Sequence, residues 1–191
     1  MSEATKPPGG SEKEQPHFSA RVPEKVARGV YSSAQVVIDG PKDVMLDFLM
    51  GLTRPYSVVA RVIMVPQTLT EFANALERNI DLYVQQYGQP QAPPQPANPN
   101  RPTLEEIYEN FKLPEDMMAG TYTQAVLIGH SATEFVFDFF SNFPPNPAVG
   151  ARVYLPAGIA PRFLNTLKQT LARYQQRFGN NQSGGEQTPP T

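Results

Sequence analysis

The chain has no cysteine, which excludes disulfides and thiolate metal sites. It has two histidines, His17 and His130, too few and too far apart for a recognisable zinc spacing. Its formal net charge is −2, which gives no general attraction to nucleic acid or to anionic membranes. No apolar run approaches the roughly 18 residues of a membrane span. The first residues, Met1 to Gly10, lack the apolar core of a signal peptide. Together with the missing cysteines, this leads us to expect a cytoplasmic protein. Also missing are a glycine-rich phosphate loop, a nucleophile elbow and a Walker-type lysine. Catalysis would rest on carboxylates alone, so the expectation is a protein that is not an enzyme and has no cofactor, no catalytic residue and no metal.

What the chain does contain is the same pattern twice. Val22 to Gly88 reappears as Leu113 to Gly179 at a constant offset of 91, without a gap. Gly29 and Tyr31 answer Gly120 and Tyr122. Asp47-Phe48 answers Asp138-Phe139, and Ala60-Arg61-Val62 answers Ala151-Arg152-Val153. Roughly a quarter of the aligned positions are identical, which marks a duplicated unit. The expected organisation is a disordered tail over 1–21, a first repeat over 22–88 and a Pro/Gln linker over 89–102. A short connecting helix over 103–112, a second repeat over 113–179 and a disordered tail over 180–191 follow. The tails are too polar to bury a core, and the linker reads as extended polyproline II.

Within each repeat the apolar period changes from strand-like to helical. Val30–Ile38 and Thr121–Ile128 read as first strands, Val44–Met50 and Phe135–Phe140 as second strands, and Val58–Val65 and Val149–Leu155 as third strands. Gln67–Tyr87 and Ile159–Phe178 then carry apolar stripes at helical spacing. Pro161 falls in a first turn, and Gly88 and Gly179 fall just past the helix ends. Thr103 and Glu106 form a capping-box pattern ahead of a helix with no counterpart in the first repeat. That helix is expected to dock on the duplicated core, covering a sheet edge. The fold class is therefore α+β: two strand-strand-strand-helix repeats joined as an intramolecular pseudo-dimer. The expected form is a six-stranded antiparallel sheet with both helices on one face.

Leu113, Pro114, Glu115 and Met117, then Gly120 and Tyr122, then the block His130 to Phe139, then Ala151 to Val153, carry a resemblance. This pattern resembles a family of short bacterial and archaeal proteins, domain of unknown function 3467. Its members are usually single units, so this chain looks like a tandem duplication. The second repeat keeps the His130 block, whereas the first has Asp39 to Asp43 there and keeps Arg61 to Pro66. The family implies no biochemistry. Strands followed by a long helix are also loosely similar to the SecB export chaperone, with no shared motif.

Several residues invite a functional reading. Asp47 with Arg61, and Asp138 with Arg152, are expected to meet as cross-strand ion pairs. The alternative is a grip on an anionic ligand or peptide terminus. His130 to Glu134 reads as turn capping. The cluster Phe135, Phe137, Phe139, Phe140 and Phe143 reads as core rather than as a stacking platform. Arg162, Lys168, Arg173 and Arg177 give the second long helix a basic face. It is either solvated, a surface for an acidic partner or phosphate backbone, or attracted to the acidic first helix. The leading expectation is a protein- or peptide-binding module, adaptor or chaperone-like. A nucleic-acid-associated protein using the basic helix is the alternative, and a small-ligand or hydrolytic site at Asp138, Arg152 and His130 comes third. The chain is expected to be a monomer with an internal pseudo-twofold axis, or a higher oligomer of it.

Overall fold

A computed structural model describes residues 20–94 and 103–178. Most of both tails and of the linker lies outside these residues. The first unit runs α1 (Glu24–Ala27), β1 (Val30–Tyr31), β2 (Ala34–Asp39), β3 (Val44–Met50), β4 (Ser57–Met64) and α2 (Pro66–Tyr87). The connecting helix α3 is Leu104–Asn110. The second unit runs through a 3-10 turn (Glu115–Met117), β5 (Thr121–Tyr122), β6 (Ala125–His130), β7 (Glu134–Ser141) and β8 (Ala148–Pro156). A second 3-10 turn (Ala157–Ile159) leads into α4 (Ala160–Phe178).

The α+β class and the two-copy plan hold, but the single six-stranded antiparallel sheet does not. The strands form two four-stranded mixed sheets, ordered β1-β8-β7-β6 and β2-β3-β4-β5. Each unit lends its short first strand to the other: β1 lies parallel to β8, and β5 lies parallel to β4. The expected first strands, Val30–Ile38 and Thr121–Ile128, are each broken in two by a crossing. The Ser32 N–H donates to the Tyr154 carbonyl in one sheet at 2.9 Å, and the next N–H, Ser33, donates to Leu49 in the other at 2.8 Å. Thr123 and Gln124 repeat the step, donating to Ile63 at 2.8 Å and to Phe140 at 3.0 Å. Neighbouring residues thus satisfy opposite sheets. Ser32 and Thr123 are fully buried. The Ser32 hydroxyl bonds the Ala34 carbonyl at 2.8 Å, so this buried polar group is satisfied at the crossing.

One core serves both units. Helix α2 lies over β6 and α4 over β2, so each long helix covers the other unit's sheet. Phe48, Phe72, Phe135, Phe137, Phe139 and Phe163 are fully buried there. At about 1.5–3 kcal/mol for each large side chain removed from water, most of this stabilisation exists only when the units are together. Three pairs of equivalent residues touch and mark the pseudo-twofold axis. Phe48 and Phe139 lie 5.5 Å apart between ring centroids, Phe72 and Phe163 lie 5.9 Å apart, and Glu77 meets Lys168 at 2.6 Å. Phe143, expected in the core, is instead 55% exposed, because it sits beyond the end of β7 in the following loop.

The helix termini follow the sequence signals. Pro66 opens α2, and Gly88 closes it with φ of 81° and its N–H on the Val84 carbonyl at 3.0 Å. Gly179 lies outside the described residues. The capping box of α3 is formed: the Glu106 N–H donates to the Thr103 hydroxyl at 3.2 Å, and the Thr103 N–H to the Glu106 carboxylate at 2.7 Å. The helix docks on a sheet face rather than an edge. Ile107, Tyr108 and Phe111 pack with Val36, Leu49 and Val58. The edge is closed just afterwards, where the Lys112 N–H bonds Tyr56 at 2.8 Å and its carbonyl accepts from Val58 at 2.9 Å. Arg21, expected in the disordered tail, does the same for β8, bonding Pro147 at 2.8 Å and Val149 at 2.9 Å. Among the described residues, no helix is long and apolar enough to cross a membrane.

Candidate interaction site

Both expected ion pairs form, each across adjacent antiparallel strands in register. Arg61 donates its Nε and Nη2 to the two carboxylate oxygens of Asp47, both at 2.7 Å. Arg152 does the same to Asp138 at 2.6 and 2.7 Å. The fork geometry makes both pairs bidentate. Each remaining Nη1 crosses the seam to a carbonyl of the other unit: Arg61 to Met118 and Arg152 to Ala27, both at 3.2 Å. The arginines therefore tie strand to strand and unit to unit. They also flank a cavity of about 360 Å³ on the pseudo-twofold axis, lined by Lys25, Gly29, Asp116 and Gly120 among others. The Asp47 bonds raise the Arg61 pKa against the opposing effect of burial. The Asp138 bonds act likewise on Arg152, with a smaller contribution from Tyr154.

The two pairs differ in what lies above them. Tyr108 of α3 donates its hydroxyl to Asp47, making a third, short bond. The Asp47 side chain is fully buried as a result, while that of Asp138 is 18% exposed. Burial, and then the bond to Asp47, push the Tyr108 pKa up to about 12. Val36, beside Asp47 in the ladder, is 7% exposed, and its equivalent Leu127, beside Asp138, is 43% exposed. Leu127 and Asp138 are thus more exposed than Val36 and Asp47, which α3 covers. Tyr108 had no signal of its own in the sequence beyond its place on an apolar helix face.

The family model for Protein of unknown function (DUF3467) matches residues 2–92 and again residues 90–181. The chain belongs to this family, in two copies. No curated protein matches it.

In the second DUF3467 copy, the turn after His130 is capped by Ser131 rather than by the histidine. The Ser131 hydroxyl accepts from the N–H groups of Thr133 at 3.2 Å and Glu134 at 3.1 Å. Glu134 turns its carboxylate back to both hydroxyls, accepting from Ser131 at 3.1 Å and from Thr133. His130 instead faces the core side, with Tyr83, Tyr87 and Phe135 around its ring. Its Nδ1 is buried with no hydrogen-bond partner among the described residues. Asp138, opposite Leu127 in the ladder, faces the other side of the sheet, three residues out of phase with His130. Asp138 and Arg152 are therefore together, and His130 is not with them.

The basic helix of the second DUF3467 copy is largely paired. Lys168 meets Glu77 at 2.6 Å, so the attraction between the two long helices is realised. Arg173 and Arg177 reach Asp39 at 3.4 and 2.9 Å. Asp39 occupies the position equivalent to His130. Its role was hidden in the sequence, where Asp39-Gly40 reads as turn chemistry. Arg162 has no ion pair among the described residues. No group of three or more His, Cys, Asp or Glu side chains there could hold a metal ion.

Proposed function

We propose that this protein is a non-enzymatic protein- or peptide-binding module that works asymmetrically, through the outer face of its second sheet. One observation carries the reading: α3 seals the face around Val36 and Asp47, whereas the equivalent patch at Leu127 and Asp138 is left accessible. An apolar side chain beside a carboxylate held in a fixed orientation offers both burial and a directional hydrogen bond. Those are the two ingredients of a binding hot spot. The bidentate Asp138–Arg152 pair at the patch fixes the carboxylate and lowers the ordering cost of association.

The test is affinity capture with the purified full chain at several salt concentrations, beside a Leu127→Glu variant. A stoichiometric protein partner should be retained by the parent and lost by the variant. A partner held equally by both, or no partner at any salt concentration, would overturn the reading.

A further inference from the structure

The cavity on the pseudo-twofold axis is symmetric in position but not in chemistry. Among the described residues, every wall residue from one unit has its repeat equivalent, at the offset of 91, in the wall from the other. Some of these pairs match, as Ala60 with Ala151 and Arg61 with Arg152. Three change in kind: Lys25 is answered by Asp116, Val30 by Thr121 and Val59 by Gly150. We propose that this cavity binds a small zwitterion whose amine and carboxylate are separated by a short spacer. Its carboxylate meets Lys25, and its amine meets Asp116 and Thr121. The site is separate from the Leu127 patch, and the binding-module reading stands or falls without it.

Lys25 and Asp116 set the charge that a guest meets. The Arg61 guanidinium is balanced by Asp47 and that of Arg152 by Asp138, each through two bonds, so these pairs add no net charge. Lys25 and Asp116 have no ion-pair partner among the described residues and do not pair with each other. Equivalent residues lie on opposite sides of a twofold axis, so the two charges face one space from its two ends. The arginine Nη1 bonds fix those ends. Arg152 reaches Ala27, close to Lys25 in the chain, and Arg61 reaches Met118, close to Asp116, both at 3.2 Å. The Lys25 end also has the more accessible guanidinium, with Arg152 23% exposed against 10% for Arg61. A dianion would be repelled by Asp116 and a dication by Lys25. A guest with one charge of each sign suits both ends, which is selection by repulsion as well as attraction.

The other two changes add polarity to the acidic end. Thr121 belongs to the same unit as Asp116 and pairs with Val62, next to Arg61 in β4. Its hydroxyl makes no hydrogen bond among the described residues, where its carbonyl accepts from Thr123. Gly150 makes room for this side chain, since a Cβ there would lie 2.4 Å from the Thr121 Cγ2. An ammonium has three donors, which the Asp116 carboxylate and the Thr121 hydroxyl can accept together. Val26 and Met117 supply apolar wall for the spacer. The volume of about 360 Å³ lies at the lower end of the range of about 300–1,000 Å³ for small-molecule sites. That size suits a dipeptide or an ω-amino acid rather than a longer chain.

The probes are alanylalanine and 4-aminobutyrate, titrated into the full-length protein by calorimetry, with succinate and 1,4-diaminobutane as charge controls. Saturable binding of one or both zwitterions is expected, and which of them binds tells a peptide site from an ω-amino-acid site. Both controls should bind about tenfold or more weakly than the better zwitterion. The amide signals of Gly29 and Gly120, which line the cavity, should shift during the titration. Lys25 and Asp116 are exposed, so their variants should fold. Asp116→Lys should lose the zwitterion and gain succinate, and Lys25→Asp should lose it and gain 1,4-diaminobutane. Combining both changes should restore the zwitterion. Thr121→Val should weaken it about fivefold, the loss of one hydrogen bond. Succinate binding to the parent as tightly as the zwitterions would mean a simple anion site and overturn the proposal. So would zwitterion binding unchanged in both single charge variants, or no saturable binding of either zwitterion. None of these variants should alter capture of a protein partner through Leu127.

Discussion

The duplicated ion pairs offer an internal comparison in which one chemical change is made in two environments. Asp47→Ala removes a fully buried carboxylate and leaves the Arg61 guanidinium and the Tyr108 hydroxyl facing each other beneath α3. Breaking a buried pair by deleting one partner costs about 3–5 kcal/mol, because the orphaned charge stays desolvated. Asp138→Ala makes the same deletion where the carboxylate is 18% and the arginine 23% exposed. Water can take over part of the guanidinium there, and the loss should fall to about 1–2 kcal/mol, between the surface and buried cases. Urea unfolding of both variants and the parent separates the two values. With a slope of about 1–3 kcal/mol per molar for a small protein, the two midpoints should differ by about 1 M. Asp47→Ala could take up a large share of a total stability of about 5–15 kcal/mol. Adding Arg61→Ala to Asp47→Ala should recover part of the loss. Equal destabilisation at the two positions, or a larger loss at Asp138, would refute the claim that α3 makes the first pair the buried one.

Three further outcomes are expected. A protease site placed in the linker between residues 95 and 102 should yield two fragments that co-elute as one species under native conditions, because the strands and helices are exchanged; separate elution would contradict the topology. Stability should be lost as pH rises from about 10 towards about 12. The Tyr108 pKa is raised in the folded protein to about 12, so its contribution is complete below the unfolded value near 10 and vanishes above the folded one; Tyr108→Phe should flatten that loss in alkaline denaturation curves. Gly29→Ala should destabilise clearly more than Gly88→Ala in thermal melts. Both glycines have positive φ, but a Cβ at Gly29 would lie 2.5 Å from the Tyr154 ring, whereas one at Gly88 would meet nothing within 4 Å.

Much of the architecture was legible in the sequence because it is written in local periods. The second and third strands, the two long helices and the capping box of α3 lie within a residue or two of their expected positions. The exchange of β1 and β5 was not legible. Val30 to Ile38 has no glycine or proline to mark a break, and the crossing at Ser32 and Ser33 is set by which sheet each N–H meets. That choice depends on the other unit, more than a hundred residues away in the chain. Asp39 was missed for the same reason, since its partners Arg173 and Arg177 come from the opposite unit. The Asp and Arg positions were recoverable because duplication repeated them. The difference between the two pairs was not, because it depends on a helix present once.

The exchange of the first strands also governs how this protein can come apart. Each sheet has an edge strand that belongs to the other unit, and each is roofed by the other unit's helix. Peeling either unit away strips a strand and a helix from both sheets at once. No half-open state keeps an intact layer, so thermal fluctuations large enough to release one unit must dissolve the other. Slowly exchanging amides in β3, β4, β7 and β8 should therefore share one opening free energy. Two copies of a small domain have become, in energetic terms, a single indivisible folding unit.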